Sequence, residues 1–156
     1  MIEVVSIRSH PEKIPVIPLG DRYYMTSAKC SRIEIHTKKD GVFVFNFFAD
    51  FVSNYRSGGL VVDRFVDQIG NADQQCSYLS HDAAYTPCKA CNGEHPISKQ
   101  VADDLLRGCL IYSGMSKVKA NVVYWSVKLF GRKAYEEDDE FTKKNSGLFT
   151  FEWRAK

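Results

Sequence analysis

The hydrophobic pattern of this chain changes its period part-way along, and this change most constrains the fold. Before residue 55, apolar residues mostly alternate with polar ones, as in strands that bury one face. After residue 60, they recur at spacings of three and four, as in helices that bury a stripe. We therefore expect an α+β fold, with a small antiparallel N-terminal sheet followed by about three packed helices.

The length of 156 residues suits a single domain with its own core. We divide residues 1–156 into a sheet-rich part (1–55), a helical part (60–132) and a C-terminal tail or strand (133–156). Hydrophobic residues make up 44% of the chain and charged residues 26%, which is ordinary for a soluble globular protein. The net charge of +2 is too small to indicate a nucleic-acid partner.

The clearest strand signal is a hairpin. Residues 32–37 and 42–48 are predicted to pair, with Lys38–Gly41 as their loop. Shorter strands are predicted at Glu3–Ile7 and Arg22–Thr26. Because no basic stripe accompanies the aromatic residues of this region, core packing explains them better than base stacking. These residues are Tyr23, Tyr24, Phe43, Phe45, Phe47, Phe48 and Phe51.

Local signals also place the helices. The first is predicted over Asn71–Tyr85, the second from an N-cap at Ser98 to about Ser113, and the third from an N-cap at Ser116 to Gly131. Leu60–Ile69 is a helical stripe or an irregular lid. The acidic run 136–140 is predicted as a solvated bend and 148–153 as a last strand.

Two helices have a predicted apolar face. On the second helix, this face consists of Val101, Leu105, Cys109 and Tyr112. On the third, the seam consists of Val118, Val122, Trp125 and Leu129. The third helix is apolar on more than one side, so it is either buried or docks a partner or lipid, and we favour burial.

A compact polar group on the first helix is the main candidate site. His81 and Tyr85 are four residues apart and share a face, with Asp82 on the flank. A second helix carrying Asp103 could hold the imidazole, as a histidine general base requires. In the catalytic interpretation His81 activates water and Asp82 binds a divalent cation such as calcium. In the structural interpretation, the same side chains form a buried hydrogen-bonded network that holds two helices together.

Two patterns bear on metals. Calcium takes several oxygen ligands, and Ser57–Gly59 is the glycine-rich segment that could add backbone carbonyls to Asp82. Cys88 and Cys91 have the spacing of a zinc half-site. Its remaining ligands would come from Cys76, Cys109, His95 or His81. The alternative is a loop with two free thiols, since we expect the five cysteines to be reduced.

Four short motifs resemble a known family. They are Phe48-Ala49-Asp50-Phe51-Val52-Ser53, His81-Asp82-Ala83-Ala84-Tyr85, Ser98-Lys99-Gln100-Val101-Ala102-Asp103 and Val127-Lys128-Leu129-Phe130-Gly131. In this order, over about residues 15–135, they resemble the domain-of-unknown-function family 1353, which is encoded mainly by tailed bacteriophages and prophages. The resemblance implies a phage origin and selects Asp103, rather than Asp104, as the partner of His81.

The His-Asp-x-x-Tyr motif is also similar to that of phospholipase A2 enzymes. This likeness implies that His81 is the base, Asp82 the calcium ligand, and Tyr85 and Asp103 the supports of the imidazole. The glycine-rich calcium loop and the paired cysteines of those enzymes are not recognisable here. Asp50 and Ser53 belong to the phage-family pattern and are candidate extra ligands or hydrogen-bond partners in the same pocket.

Three functions follow as expectations. The first is metal-assisted hydrolysis of an ester, with lipid as the candidate substrate, calcium as the expected cofactor and zinc as the alternative. The second is a non-catalytic virion or tail-assembly component, and the third an effector that binds a host protein. Partners are then a phage or host protein surface, or membrane lipid. Without a signal-peptide pattern or a transmembrane run, we expect the host cytoplasm or the virion.

Overall fold

The computed structural model describes residues 1–19, 24–53 and 71–156. The fold of this part is α+β, as predicted, with strands first and helices after them. The strands are β1 (Val4–His10), β2 (Val16–Pro18), β3 (Tyr24–Thr26), β4 (Cys30–Thr37), β5 (Val42–Phe48), β6 (Val52–Ser53) and β7 (Phe149–Arg154). The helices are α1 (Ala72–Ala84), α2 (Lys99–Tyr112), α3 (Lys117–Phe130), α4 (Arg132–Tyr135) and α5 (Glu140–Ser146), with a 3-10 turn at Lys89–Cys91.

The larger sheet has four antiparallel strands in the order β1-β4-β5-β7, and β2-β3-β6 form a second sheet. The predicted hairpin is confirmed as β4 and β5, with His36 opposite Val42 at its closed end. Gly41 closes the turn with φ of +82°, a conformation that residues with a Cβ rarely adopt. The predicted last strand is confirmed as β7, which pairs with β5.

Most of the aromatic residues of the sheet lie in the core, as expected. Phe45, Phe47 and Phe51 are fully buried, and the ring centroids of Phe47 and Phe51 are 5.0 Å apart. For Phe48 the core prediction is wrong, because 42% of this residue's surface is exposed. Successive side chains of a strand point to opposite faces, so Phe48 turns away from the core that Phe47 enters. Tyr23 is outside the described residues.

The predicted helix starts are confirmed by their caps. The Asn71 side chain accepts from the Gln74 N–H at the start of α1, and the Gln74 side chain bonds back to the Asn71 N–H. The Ser98 side chain caps α2 by accepting from the Val101 N–H, and the Ser116 side chain caps α3 by accepting from the Lys119 N–H. The predicted segment Leu60–Ile69 lies outside the described residues.

Helix α2 lies close against β1. A Cβ added at Gly108 would be 2.7 Å from the backbone oxygen of Ile2 and 2.9 Å from Cγ2 of Val4, so only glycine allows this approach. The predicted apolar face of α2 needs a correction. Leu105 and Cys109 are buried, but Tyr112 is exposed. Other buried residues of this helix are Ala102, Leu106 and Leu110.

The expectation that the seam of α3 is buried is wrong. Val118, Trp125 and Leu129 are more than half exposed, at 74%, 53% and 65%. The face that enters the core consists instead of Ala120, Val123, Tyr124 and Val127. Both sets have helical spacing, so the period of the sequence could not decide between them.

The C-terminal part contains one further difference from expectation. The acidic run is predicted as a solvated bend, and the structure differs only at its end, where Glu140 begins α5. Asp139 caps α5 by accepting from the Thr142 N–H. No helix in the described ranges combines the length and the apolar character that crossing a bilayer requires.

Candidate functional site

The structure brings the predicted histidine, tyrosine and aspartate together. Nε2 of His81 lies 3.0 Å from Oδ1 of Asp103, and the Tyr85 hydroxyl donates to the same oxygen at 2.5 Å. His81 and Tyr85 share one face of α1, with ring centroids 4.2 Å apart. Asp104 points elsewhere and accepts from the Gln100 amide. Asp103, rather than Asp104, is therefore the aspartate that contacts His81, as the family resemblance implies.

A lysine completes this cluster, and sequence reasoning missed it. Nζ of Lys99 donates to Oδ2 of Asp103 at 2.8 Å and to the backbone oxygen of Val127 at 2.9 Å. That oxygen lies in the last turn of α3, where it also accepts the Gly131 N–H at 2.8 Å. The spacing of four residues between Lys99 and Asp103 was the signal that could have revealed the pair.

The cluster is buried. The side chains of His81 and Asp103 are each only 2% exposed. The cavity beside the imidazole, which Ser77, Ser80 and Leu105 help to line, has a volume of about 10 Å³. A space of this size approaches the minimum for one water molecule and holds no larger ligand. Within the described residues, the ring therefore faces packed protein rather than a substrate-sized pocket.

The charges around Asp103 determine its protonation. Burial alone would raise the pKa of this carboxyl, but the His81 hydrogen bond and charge, with the Lys99 and Tyr85 hydrogen bonds, hold the pKa below its ordinary value of 3.8. The same carboxylate and burial raise the pKa of Tyr85, with burial as the larger cause. Asp103 is thus a carboxylate at neutral pH, and Tyr85 is a neutral donor to it.

This pKa shift predicts an acid-sensitive contribution to stability. A carboxyl whose folded pKa is lowered stabilises the fold fully above the unfolded value and loses that contribution as pH falls through the folded value. We expect the difference in unfolding free energy between the native chain and Asp103→Asn to narrow as pH drops below about 4. Urea titrations at a series of pH values measure it, and a difference that is constant down to pH 2 would contradict the lowered pKa.

The candidate calcium residues are only partly brought together. The Ser53 hydroxyl donates to Oδ2 of Asp82 in a short hydrogen bond, so these two side chains share a position at the flank of α1. Asp50 lies in an exposed turn with φ of 75°. No hydrogen bond or ion pair between described residues joins its side chain to the cluster. Ser57–Gly59 lies outside those residues, and calcium binding stays a prediction.

The two loop cysteines lie close together at the 3-10 turn. Cys88 is buried, with Sγ 3.8 Å from the backbone oxygen of Phe149. Burial and the neighbouring Cys88 raise the pKa of the Cys91 thiol to about 11. Zinc binds the thiolate form of cysteine, whereas the raised pKa keeps the Cys91 thiol protonated at neutral pH. His95 directs Nε2 at the backbone oxygens of Tyr85 and Tyr135.

The described residues contain no group of three or more His, Cys, Asp or Glu side chains that could hold a metal ion. Burial raises the pKa of Cys76 to about 11 and that of Cys109 further. Zinc binding by Cys88 and Cys91 stays a prediction.

No family model, curated protein or solved structure matches the chain. Membership of the domain-of-unknown-function family 1353 therefore stays a prediction that depends on the four motifs. The likeness to phospholipase A2 enzymes stays one as well, and the residues of its motif now have positions: His81, Tyr85 and Asp103 in one buried cluster, and Asp82 beside Ser53.

Proposed function

We propose that this protein works by binding rather than by catalysis, with the outer face of α3 as its binding surface. The observation that carries this proposal is a contrast in exposure. The imidazole and carboxylate of the candidate catalytic pair are 2% exposed, whereas four apolar side chains of α3 are more than half exposed. These are Val118, Trp125, Leu129 and Phe130. Contiguous exposed apolar patches mark protein or membrane interaction sites.

In this proposal the buried cluster acts as a clamp. Asp103 on α2 accepts hydrogen bonds from His81 and Tyr85 on α1, and Lys99 carries the network on to Val127 of α3. A buried network whose donors and acceptors are matched fixes one arrangement of the elements it joins. The cluster would thus hold α3 in place while its other side remains available for a partner.

The exposed side of α3 also has a suitable shape. A groove of about 500 Å³ runs along it, lined by Val118, Asn121, Val122, Trp125, Ser126, Leu129 and Phe130. An assembly component of a phage particle or an effector in the host needs such a surface, and the phage origin that the family resemblance implies suits either role. Neither role needs the imidazole to meet solvent.

Ester hydrolysis is the second candidate, and one feature favours it. Asp103 meets His81 through Nε2, so Nδ1 is the ring nitrogen that could act as the base. A water at Nδ1 could lose a proton to the ring as its oxygen attacks an ester carbonyl, with Asp103 stabilising the resulting imidazolium. The cluster would have to open to admit the ester, because the ring is shielded from solvent in this structure.

His81→Gln separates the two functions. We expect the native chain to release no fatty acid from phospholipid vesicles, with or without calcium, and the variant to lose about 1–3 kcal/mol of unfolding free energy through its broken network. Titration of released acid and urea unfolding measure both quantities. A calcium-dependent rate that disappears in His81→Gln while stability is kept would overturn the binding proposal in favour of hydrolysis.

A further inference from the structure

We propose that the outer face of α3 binds the surface of an anionic lipid bilayer, with the helix lying flat on it. This inference rests on the proposal above that this face is the binding surface, and it names the partner. The alternatives are a protein partner and a second copy of this chain. Three features of α3 favour the bilayer over these alternatives: the direction of its apolar side chains, its charge, and its use of lysine as the only cation.

The apolar side chains of α3 form a narrow stripe. At about 100° per residue, the directions of Val118, Val122, Trp125 and Leu129 fall within about 60° of each other. The buried residues Ala120, Val123 and Val127 lie on the opposite side of the helix. The stripe therefore points directly away from the core. An amphipathic helix in a membrane interface has this arrangement, with its apolar face directed into the acyl boundary.

Lysines flank the stripe on both sides. By the same geometry, and measured around the helix axis from the direction of Val118, Lys117 and Lys128 lie about 80–100° to one side and Lys119 about 100° to the other. All three are exposed, and residues 117–135 contain no aspartate or glutamate. The first acidic residue after them, Glu136, pairs with Arg132 at 3.2 Å. Lysines at the edges of an apolar face extend their ammonium groups into the headgroup layer, where anionic lipids attract them.

The kind of cation favours lipid over protein. Protein interfaces are enriched in arginine and depleted in lysine, whereas each cation on α3 is a lysine. A second copy fits poorly as well. A two-fold contact sets the same patch against itself, which would bring lysines towards lysines with no acidic residue of α3 between them.

Tryptophan fluorescence tests the proposal directly. The chain has two tryptophans, so Trp153→Phe leaves Trp125 as the sole reporter. We expect its emission to shift to shorter wavelength when phosphatidylglycerol vesicles are added, and to shift little with phosphatidylcholine vesicles. Added salt should reverse part of the binding, because it screens the lysines. Absence of binding to phosphatidylglycerol vesicles, or equal binding to both lipids, would overturn the proposal.

Sedimentation with vesicles compares matched variants. Trp125→Ser should weaken binding to phosphatidylglycerol vesicles by at least about tenfold, because it removes a large apolar side chain from the stripe. Trp153→Ser is the control, since Trp153 on β7 is also 53% exposed. Lys117→Gln and Lys119→Gln should each weaken binding about fivefold. Weakening as large in Lys143→Gln, on α5, would contradict a role for the position of the lysines.

Failure of this inference is distinguishable from failure of the proposed function. If no vesicle binding occurs but the chain dimerises and Trp125→Ser abolishes the dimer, the face binds protein and the lipid inference is wrong. If calcium-dependent hydrolysis is found and lost in His81→Gln, the proposed function is wrong. Vesicle binding that Trp125→Ser abolishes and Trp153→Ser leaves intact supports both.

Discussion

Replacing Asp103 by asparagine should lower the free energy of unfolding by about 3–5 kcal/mol. The amide can still accept hydrogen bonds, but it carries no charge. The ammonium of Lys99, which is almost fully buried, would then face only backbone oxygens and a neutral side chain. Removing one partner of a buried ion pair is costly because the other charge remains away from water without compensation.

Asp104→Asn is the matched control, since it makes the same chemical change one residue further along α2. Asp104 is half-buried and contacts only the Gln100 amide among the described hydrogen bonds. Its substitution should alter stability by no more than about 0.5 kcal/mol. Urea unfolding of both variants measures the difference. Equal, small losses would mean that the cluster does not clamp the helices, and would remove the basis of that proposal.

If Asp103→Asn does not fold, a milder substitution can still measure how much the cluster contributes to the free energy of unfolding. Tyr85→Phe removes only the hydroxyl that donates to Asp103 at 2.5 Å and leaves the ring in place. A loss of about 1.5–3 kcal/mol, as for a hydrogen bond to a charged group, is expected. No loss would contradict a role for Tyr85 in the network.

The parts of this fold that local chemistry determines could be predicted from sequence. The β4–β5 hairpin has a glycine where the turn requires positive φ, and Ser98 and Ser116 each accept the N–H of a first helical turn. The pairing of His81 with Asp103 also agreed with expectation. Such features depend on residues close in the chain or on a recognisable motif.

The orientation of α3 could not be predicted in this way. Its two apolar sets both have helical spacing, and only packing decides which one enters the core. The more apolar set, with Trp125 and Leu129, is the one left outside. Burial of the smaller set, with Ala120 and Val123, allows α3 to pack closely against its neighbours. No feature of the local sequence therefore indicated that the set with Trp125 and Leu129 would be exposed.

Lys99 was missed for a different reason. The spacing of four residues between Lys99 and Asp103 indicates an ion pair, but such pairs are usually exposed, because lysine is almost never fully buried. Here the partner, Asp103, is one turn along the same helix, but the acceptors that complete its surroundings come from the end of α3. Those backbone oxygens are brought to Lys99 by the fold alone.

Replacing Lys99 by methionine should cost about 3–5 kcal/mol, as much as the loss of Asp103. Methionine retains the length of the side chain but leaves the carboxylate of Asp103 without its cation and the Val127 oxygen without this donor. Lys143→Met, at an exposed position of α5, is the control and should change stability by at most about 0.5 kcal/mol. Urea unfolding measures both.

The double variant Lys99→Met/Asp103→Asn decides whether the two residues act as one unit. Because it removes both charges together, its cost should be less than the sum of the single costs by at least about 1 kcal/mol. Additive costs would mean that each residue stabilises the fold separately. The bond from Lys99 to Val127 would then not couple α3 to His81 and Tyr85 on α1, and those two residues would have no part in presenting Trp125 and Leu129 to a membrane.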